Sequence, residues 1–234
     1  MNSLMIELRK EKRTGVIPAL FAIGVLGAAY AFVNFMVRKE TLLSLPLDPI
    51  YGMMMVINLF GVVVAACMIY NMEFKGNAVK KMYMLPVSVP SMYFFKFVIM
   101  TVMLLFAVAL ENAALARIGM VELPQGAFSM RAVVSFSLYS FITTMPTLSF
   151  MLLIASRFEN MWIPLGVGVT GFLSGMALAT ADAALLMVHP FVVLLKPAVA
   201  MSAQPNVSVV VMSVVETVLF LSVGLWMAKR LQYE

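Results

Sequence analysis

Residues 16–37 read VIPALFAIGVLGAAYAFVNFMV, a run without a single charged side chain. An α-helix needs about 20 mostly apolar residues to cross the hydrocarbon core of a bilayer, so this run predicts a transmembrane helix. Its apolar residues are continuous rather than alternating, which excludes a strand of a membrane barrel. The whole chain has the same character, since 63% of its 234 residues are hydrophobic and 12% are charged. A soluble domain of this size has no interior large enough for so much apolar surface.

Five further stretches meet the same criterion, at about Tyr51 to Tyr70, Phe94 to Ala116, Ala132 to Ala155, Trp162 to Met187 and Val207 to Ala228. The fifth apolar region is too long for one span, because it continues past Pro190 to Met201. We expect that span to end near Thr180 and residues 181–205 to form an outer re-entrant hairpin, since broken backbone is tolerated in a membrane only against protein. The prediction is an all-α polytopic membrane protein with six transmembrane helices in one domain, residues 1–234.

Six spans place both termini on one side of the membrane. With residue 1 inside, the cytoplasmic side collects eleven of the sixteen basic residues: Arg9, Lys10, Lys12, Arg13, Lys75, Lys80, Lys81, Lys96, Arg157, Lys229 and Arg230. The positive-inside rule therefore predicts two cytoplasmic termini. A cleaved signal peptide is the alternative for the basic leader, but the first apolar run is longer than a signal core. Residues 1–14 fit a cytoplasmic interfacial helix better.

The largest predicted cytoplasmic connection is the basic, proline-bearing segment 71–93. Its first half suits a helix along the membrane surface, with Lys80 and Lys81 toward the headgroups. Pro86 then ends this helix, because proline removes a donor and disfavours a helical residue before it. By composition alone, an ordinary loop whose lysines bind anionic lipid remains an alternative.

Ionisable residues inside spans cost about 2.5–3.5 kcal/mol on insertion scales, so each requires an explanation. Glu216 lies near the middle of the sixth span, and Glu111 with Asn112 lies in the outer third of the third span. One interpretation is a proton relay through these glutamates. The alternatives are a glutamate paired with Arg117, a capped Asn112, and a protonated Glu216 that faces the bundle interior. The candidates for a translocation path are Glu111, Asn112, Thr144 and Glu216.

Two further patterns concern helix contacts. Hydroxyl residues surround Pro146 in the fourth span, where they line a path or form hydrogen bonds between helices. Gly171, Gly175 and Ala179 follow one another at four-residue intervals in the fifth span. This small-residue stripe allows close helix contact, either with a second chain or within this one.

Several classes of chemistry are excluded by what the sequence lacks. The single Cys67 permits no intrachain disulfide, and the single His189 permits no histidine-pair metal motif. No phosphate-binding Gly-x-x-x-x-Gly-Lys-Ser/Thr loop and no Gly-x-Ser-x-Gly elbow occur. The sequence therefore predicts a chain that is not an enzyme, has no metal site and does not hydrolyse ATP.

Three features of the sequence resemble the membrane subunits of type-2 ABC exporters, and more closely the small permeases of bacterial lantibiotic-immunity transporters. The first is the leader ELRKEKR at residues 7–13. The second is Glu73 followed by MLPVS at 84–88 and then Lys96, and the third is the bent region between spans five and six. The first outer loop departs from those permeases, since LPLDP at 45–49 replaces their Trp-rich patch and leaves the substrate class open.

This resemblance implies a partner subunit that binds ATP and Mg²⁺, a second permease chain, and a multi-pass location in a bacterial cell membrane. It assigns contact with the ATP-binding subunit to residues of the 71–93 connection: Glu73, Phe74, Lys80, Lys81, Leu85 and Pro86. The first and fifth spans, with Gly171 and Gly175, become candidates for contact between permease chains, and the implied cargo is an amphipathic antimicrobial peptide. A stand-alone secondary transporter or channel using Glu216, and a non-transporting sensing or assembly subunit, are the alternatives.

Overall fold

The computed structural model describes residues 15–37, 48–74, 88–122, 128–181, 187–201 and 204–231. This part of the chain folds into α-helices, which are α1 Val16–Val37, α2 Asp48–Phe74, α3 Val89–Glu122, α4 Met130–Ala155, α5 Trp162–Ala179, α6 Val192–Val199 and α7 Val207–Leu231. The predicted interfacial helix at 1–14 and residues 75–87 of the predicted cytoplasmic connection lie outside the described residues.

Six of these helices, all except the short α6, are long and apolar enough to cross a membrane. The predicted all-α, six-span architecture is thereby confirmed. The predicted connection 71–93 was too long at both ends, because α2 continues to Phe74 and α3 begins at Val89. No helix breaker follows the apolar part of α2, and Pro90 is tolerated in the first turn of α3, where its missing N–H has no intrahelical acceptor.

The contacts between helices show their relative directions. The ring of Phe21 stacks on that of Phe106 at 6.1 Å, and Gly24 lies against Ala107, so α1 and α3 run parallel. Tyr139 packs in one cluster with Val209, and Phe150 contacts Phe220 at 5.2 Å, so α4 and α7 likewise run parallel. Helix α4 packs against α2, α3 and α7 and forms the centre of the bundle. These parallel and antiparallel neighbours are those of a chain that crosses the membrane repeatedly.

Helix α6 returns into the bundle beside α5. Phe191 lies against Gly171, and Leu195 lies against Gly175, so α6 runs parallel to α5 although it follows it in the chain. Before α6, the carbonyl oxygen of Pro190 is satisfied inside the protein, since it accepts a hydrogen bond from the Thr147 hydroxyl at 2.9 Å. The outer re-entrant hairpin predicted at 181–205 stays a prediction, and the described part of this region contains one short helix, α6.

The apolar character of residues 192–195 has its cause in this packing, because all four side chains are buried. Their environment is protein rather than lipid: α6 contacts α2, α4 and α5. At its far end, the carbonyl of Ala198 lies directly against Gly52 near the start of α2. The re-entrant helix therefore occupies the end of the bundle where α2 begins and α5 ends.

A cysteine replacing Lys196 tests the predicted orientation. We expect it to react with a membrane-impermeant maleimide applied to intact cells, because the distribution of basic residues places this end of the bundle outside. The native Cys67 is buried and contributes little background. The matched control is a cysteine at the exposed Arg230, at the opposite end, which should react only after the membrane is permeabilised. Labelling in the reverse order would overturn the orientation.

Candidate functional site

A buried ion pair joins the last turn of α2 to the second turn of α3. The Nζ atom of Lys96 donates to Oε1 of Glu73 at 2.7 Å. Lys96 is 1% exposed and Glu73 is 7% exposed, so the pair is almost completely removed from solvent. A charge-assisted hydrogen bond of this length in such surroundings is strong and directional. The pair holds together the two helix ends between which residues 75–87 run.

Aromatic side chains surround this pair. The ammonium group of Lys96 lies 5.7 Å from the centroid of the Tyr70 ring, within range of a cation–π interaction. The Tyr70 ring in turn contacts Phe74 at 6.4 Å. Tyr70, Glu73 and Phe74 share one face of α2 because they are three and four residues apart. Glu73 and Lys96 both belong to the motif that carries the family resemblance, but their pairing was not predicted. The available signal was an acid at the end of one span and a base at the start of the next.

The predicted coupling residues are therefore only partly visible. Glu73 is buried in the ion pair, and Phe74 is half-buried at the end of α2. The remaining predicted contacts, Lys80, Lys81, Leu85 and Pro86, lie outside the described residues. Their role stays a prediction.

The side chain of Glu111 extends from α3 toward α1 and α2. Its Oε2 atom accepts a hydrogen bond from Nδ2 of Asn58 at 2.8 Å, and it is 1% exposed. A Cβ atom at Gly27 would collide with this carboxyl group, which shows how closely α1 approaches. Gly27 lies near the middle of α1, while Glu111 is about two thirds of the way along α3. The expected pairing with Arg117 is not formed, since Arg117 is exposed and the partner is the neutral Asn58.

The other polar candidates of α3 and α4 bond mainly to their own helices. Nδ2 of Asn112 donates to the carbonyl of Val108 at 2.8 Å, and the Thr144 hydroxyl donates to the carbonyl of Ser140 at 2.7 Å. Both side chains are buried. Around Pro146, the hydroxyls of Thr143, Thr144 and Ser149 bond to carbonyls of α4, whereas that of Thr147 bonds to the backbone before α6. The polar face of α4 thus contributes to packing inside this chain.

Glu216 is the most isolated ionisable side chain in the described part of the chain. It is 4% exposed, and neither carboxyl oxygen has a hydrogen-bond partner there. Phe220, one turn further along α7, contacts Phe150, and because α4 and α7 run parallel Glu216 lies at the height of Pro146. A carboxyl group without a partner at this depth is costly, which makes it a functional candidate.

Gly171 and Gly175 face the re-entrant helix of the same chain. A Cβ atom on either would come within 3 Å of the Phe191 side chain, so these glycines allow α6 to pack closely on α5. Of the two explanations for the small-residue stripe, packing within the chain is the one observed. Contact of these residues with a second chain stays a prediction.

A groove of about 640 Å³ opens between α5 and the segment before α6. Its walls are mostly apolar, with Phe150 and Phe191 among them, and its polar lining includes Thr170, Ser174 and His189. The hydroxyl of Ser174 lies 3.2 Å from Nε2 of His189, while Nδ1 accepts from the backbone N–H of Phe191 at 3.3 Å. Burial lowers the pKa of His189. The ring is therefore a neutral link between α5 and the start of α6.

A comparison with protein-family models places these features in context. The model described as ABC-2 family transporter protein matches residues 3–175 of this chain. The match includes the Glu73–Lys96 pair and Glu111 and ends within α5. No curated protein matches the sequence.

Proposed function

The chain belongs to the ABC-2 family of transporter proteins and is therefore a membrane permease subunit of an ABC transporter, and we propose that it exports amphipathic peptides. Permeases of this kind work with an ATP-binding subunit, so the permease itself is a transport subunit and not a catalyst. In our proposal, ATP hydrolysis on the separate subunit moves the 75–87 segment, and α2 and α3 transmit that movement.

The observation that carries the coupling proposal is the buried Glu73–Lys96 pair. A force that the ATP-binding subunit exerts on the 75–87 segment moves α2 and α3 together only if the ends of these two helices are rigidly connected. The 2.7 Å ion pair supplies such a connection, since neither side chain is exposed enough for water to replace its partner. Glu73 and Phe74 would then form the rigid base of the segment that docks on the ATP-binding subunit, with Lys80, Lys81, Leu85 and Pro86 in the docking segment itself.

The cargo path in this proposal lies between two permease chains. The path candidates Glu111, Asn112, Thr144 and Glu216 are buried between helices of a single chain, which argues against an open route through one bundle. By contrast, α1, α5 and α7 expose large apolar surfaces. An amphipathic peptide drawn from the membrane would meet these surfaces first. Its polar face would require hydrogen-bonding groups such as Thr170 and Ser174 of the α5 groove.

A second candidate function rests on Glu216. A buried carboxyl group without a partner is what a proton-coupled transporter working alone would need near its midplane. This alternative predicts that transport continues without any ATP-binding subunit and is lost when Glu216 is replaced by Gln.

Affinity purification of the tagged chain from its native membrane in mild detergent tests the proposal. We expect mass spectrometry to identify an ATP-binding subunit in the same complex. Much less of the ATP-binding subunit should co-purify with the charge-reversed variant Lys80→Glu/Lys81→Glu, because both lysines lie in the proposed docking segment. The matched control is Lys196→Glu, at the other end of the bundle. The same amount of ATP-binding subunit should co-purify with it as with wild type. Recovery of this chain alone, from a preparation whose other complexes survive, would favour the Glu216 transporter.

A further inference from the structure

The groove between α5 and the segment before α6 contains two hydroxyl groups that a ligand can reach. Thr170 and Ser174 lie one turn apart on α5, both are exposed, and both line the groove of about 640 Å³. Ligand sites of this size usually combine apolar walls with a few polar groups that fix the orientation of the ligand. A molecule dissolved in the membrane can therefore contact these two hydroxyl groups directly.

The hydrogen bonds around His189 fix the direction in which its side chain donates. Nδ1 accepts the backbone N–H of Phe191 at 3.3 Å, so this nitrogen carries no proton. The proton of the neutral ring is therefore on Nε2, which donates to the hydroxyl oxygen of Ser174 at 3.2 Å. The Ser174 hydroxyl in turn donates to the carbonyl oxygen of Thr170 at 2.8 Å. A continuous chain of hydrogen bonds thus runs from the start of α6 to α5.

This network leaves acceptors in the groove but no unused side-chain donor among the described residues that line it. The Thr170 hydroxyl donates to the carbonyl oxygen of Gly166 at 2.9 Å, so both hydroxyl protons are already used within α5. Each hydroxyl oxygen can still accept a hydrogen bond, because at most one of its two lone pairs is occupied. A ligand that donates therefore leaves the helix unchanged, whereas a ligand that only accepts has to break an existing bond.

The walls of the groove determine the rest of the ligand. None of the described lining residues is charged, because His189 is neutral and the others are apolar or carry a hydroxyl. The two acceptors lie about 12 and 18 Å from the start of α5, in the middle of the span, where a charged group is costly. The rings of Phe150 and Phe191 stand edge to face at 6.1 Å in the wall. Such rings pack favourably against a further aromatic ring.

We propose that the α5 groove binds an indole ring, with its N–H directed at the hydroxyl oxygens of Thr170 and Ser174. Indole is a large, neutral aromatic group that donates one hydrogen bond and accepts none, which matches a groove with acceptors only. A phenol fits less well, because its oxygen would find no donor. The source of the ring is a tryptophan side chain of the amphipathic peptide, and this identification rests on the proposed function. The groove selects cargo by hydrogen-bond donation and not by charge.

Binding of two synthetic amphiphiles to the full chain in detergent tests the groove. The probes are octylindole and its N-methyl analogue, in which a methyl group replaces the N–H hydrogen, and native mass spectrometry measures both affinities. We expect wild type to bind octylindole about tenfold more tightly, because only this probe can donate a hydrogen bond. Thr170→Val/Ser174→Ala should bind the two probes equally, since it removes both acceptors and retains the apolar walls.

Thr217→Val is the matched control for the loss of a hydroxyl. The Thr217 hydroxyl also donates to its own helix, α7, but it is not part of the groove lining. This variant should prefer octylindole as strongly as wild type does. Equal binding of the two probes by wild type would mean that the groove takes an acyl chain or any apolar group, contrary to the proposal. Retention of the preference by Thr170→Val/Ser174→Ala would also contradict it.

Two versions of an amphipathic helical peptide, one with a single tryptophan and one with phenylalanine in its place, test the source of the indole. Wild type should bind the tryptophan version about tenfold more tightly, and Thr170→Val/Ser174→Ala should not distinguish the two. Equal binding of both peptides by wild type would refute tryptophan recognition. These measurements need neither ATP nor the ATP-binding subunit. Loss of selectivity therefore contradicts this inference alone, and failure of export contradicts the proposed function alone.

Discussion

The Lys96→Met variant is expected to lose about 3–5 kcal/mol of folding stability, because it removes the ammonium group that Glu73 binds in the buried ion pair. Methionine retains most of the length and volume of the lysine side chain, so the loss reports charge and not packing. Thermal unfolding of the purified protein in detergent measures the effect. Lys229→Met is the matched control at the same end of the bundle. Its exposed lysine should contribute less than about 0.5 kcal/mol.

The double variant Glu73→Met/Lys96→Met separates stability from coupling. Replacing a whole buried ion pair by apolar residues is often neutral or stabilising, so this variant should fold about as well as wild type. We nevertheless expect it to export less cargo, because the directional link between α2 and α3 is gone while the chain still inserts. An unchanged unfolding temperature of Lys96→Met, or normal export by the folded double variant, would contradict the role of this pair.

The second large effect is expected at Gly52, where α2 touches α6. An alanine Cβ there would collide with the backbone carbonyl oxygen of Ala198, which has no side-chain rotation available to relieve the contact. Overpacking of this kind costs about 1–3 kcal/mol, more than the roughly 1 kcal/mol that alanine gains over glycine in a helix. Gly52→Ala should therefore lower the unfolding temperature. It should also speed maleimide labelling of a cysteine at Lys196, since α6 has to move.

Gly166→Ala is the control for this substitution. Gly166 is also a helical glycine, in α5, but no atom lies within 4 Å of the position that its Cβ would take. This variant should keep or slightly raise the unfolding temperature, because only the helix propensity changes. Destabilisation of the same size in both variants would show that the contact between Gly52 and Ala198 is not the cause.

The spans were predictable from the sequence because each is a local property. A helix in lipid satisfies its backbone hydrogen bonds within its own segment, so about 20 apolar residues are a sufficient signal. The same reasoning predicted the re-entrant region, since the apolar residues after Pro190 exceed what one span can use. The helix ends were less predictable. Phe74 and Val89 lie inside helices because nothing in the flanking sequence forces the chain to turn earlier.

The candidate site was predictable in its residues but not in its contacts. Glu73, Glu111 and Glu216 are conspicuous in an apolar chain. Their partners are separated from them by a loop or a whole helix, as Glu73 is from Lys96 and Glu111 is from Asn58. The nearest residue of opposite charge was the wrong partner for Glu111, because Arg117 faces outward on the same helix.

The sequence by itself therefore determined the all-α architecture, the membrane environment and the six spans of this protein. All of these depend on composition and on patterns within about 20 residues. Only the tertiary structure decided that Glu73 binds Lys96, that Glu111 accepts a hydrogen bond from Asn58, and that the glycines of α5 pack against α6. These depend on which helix faces meet and at what height, and helix packing sets those relations through contacts between residues far apart in the chain.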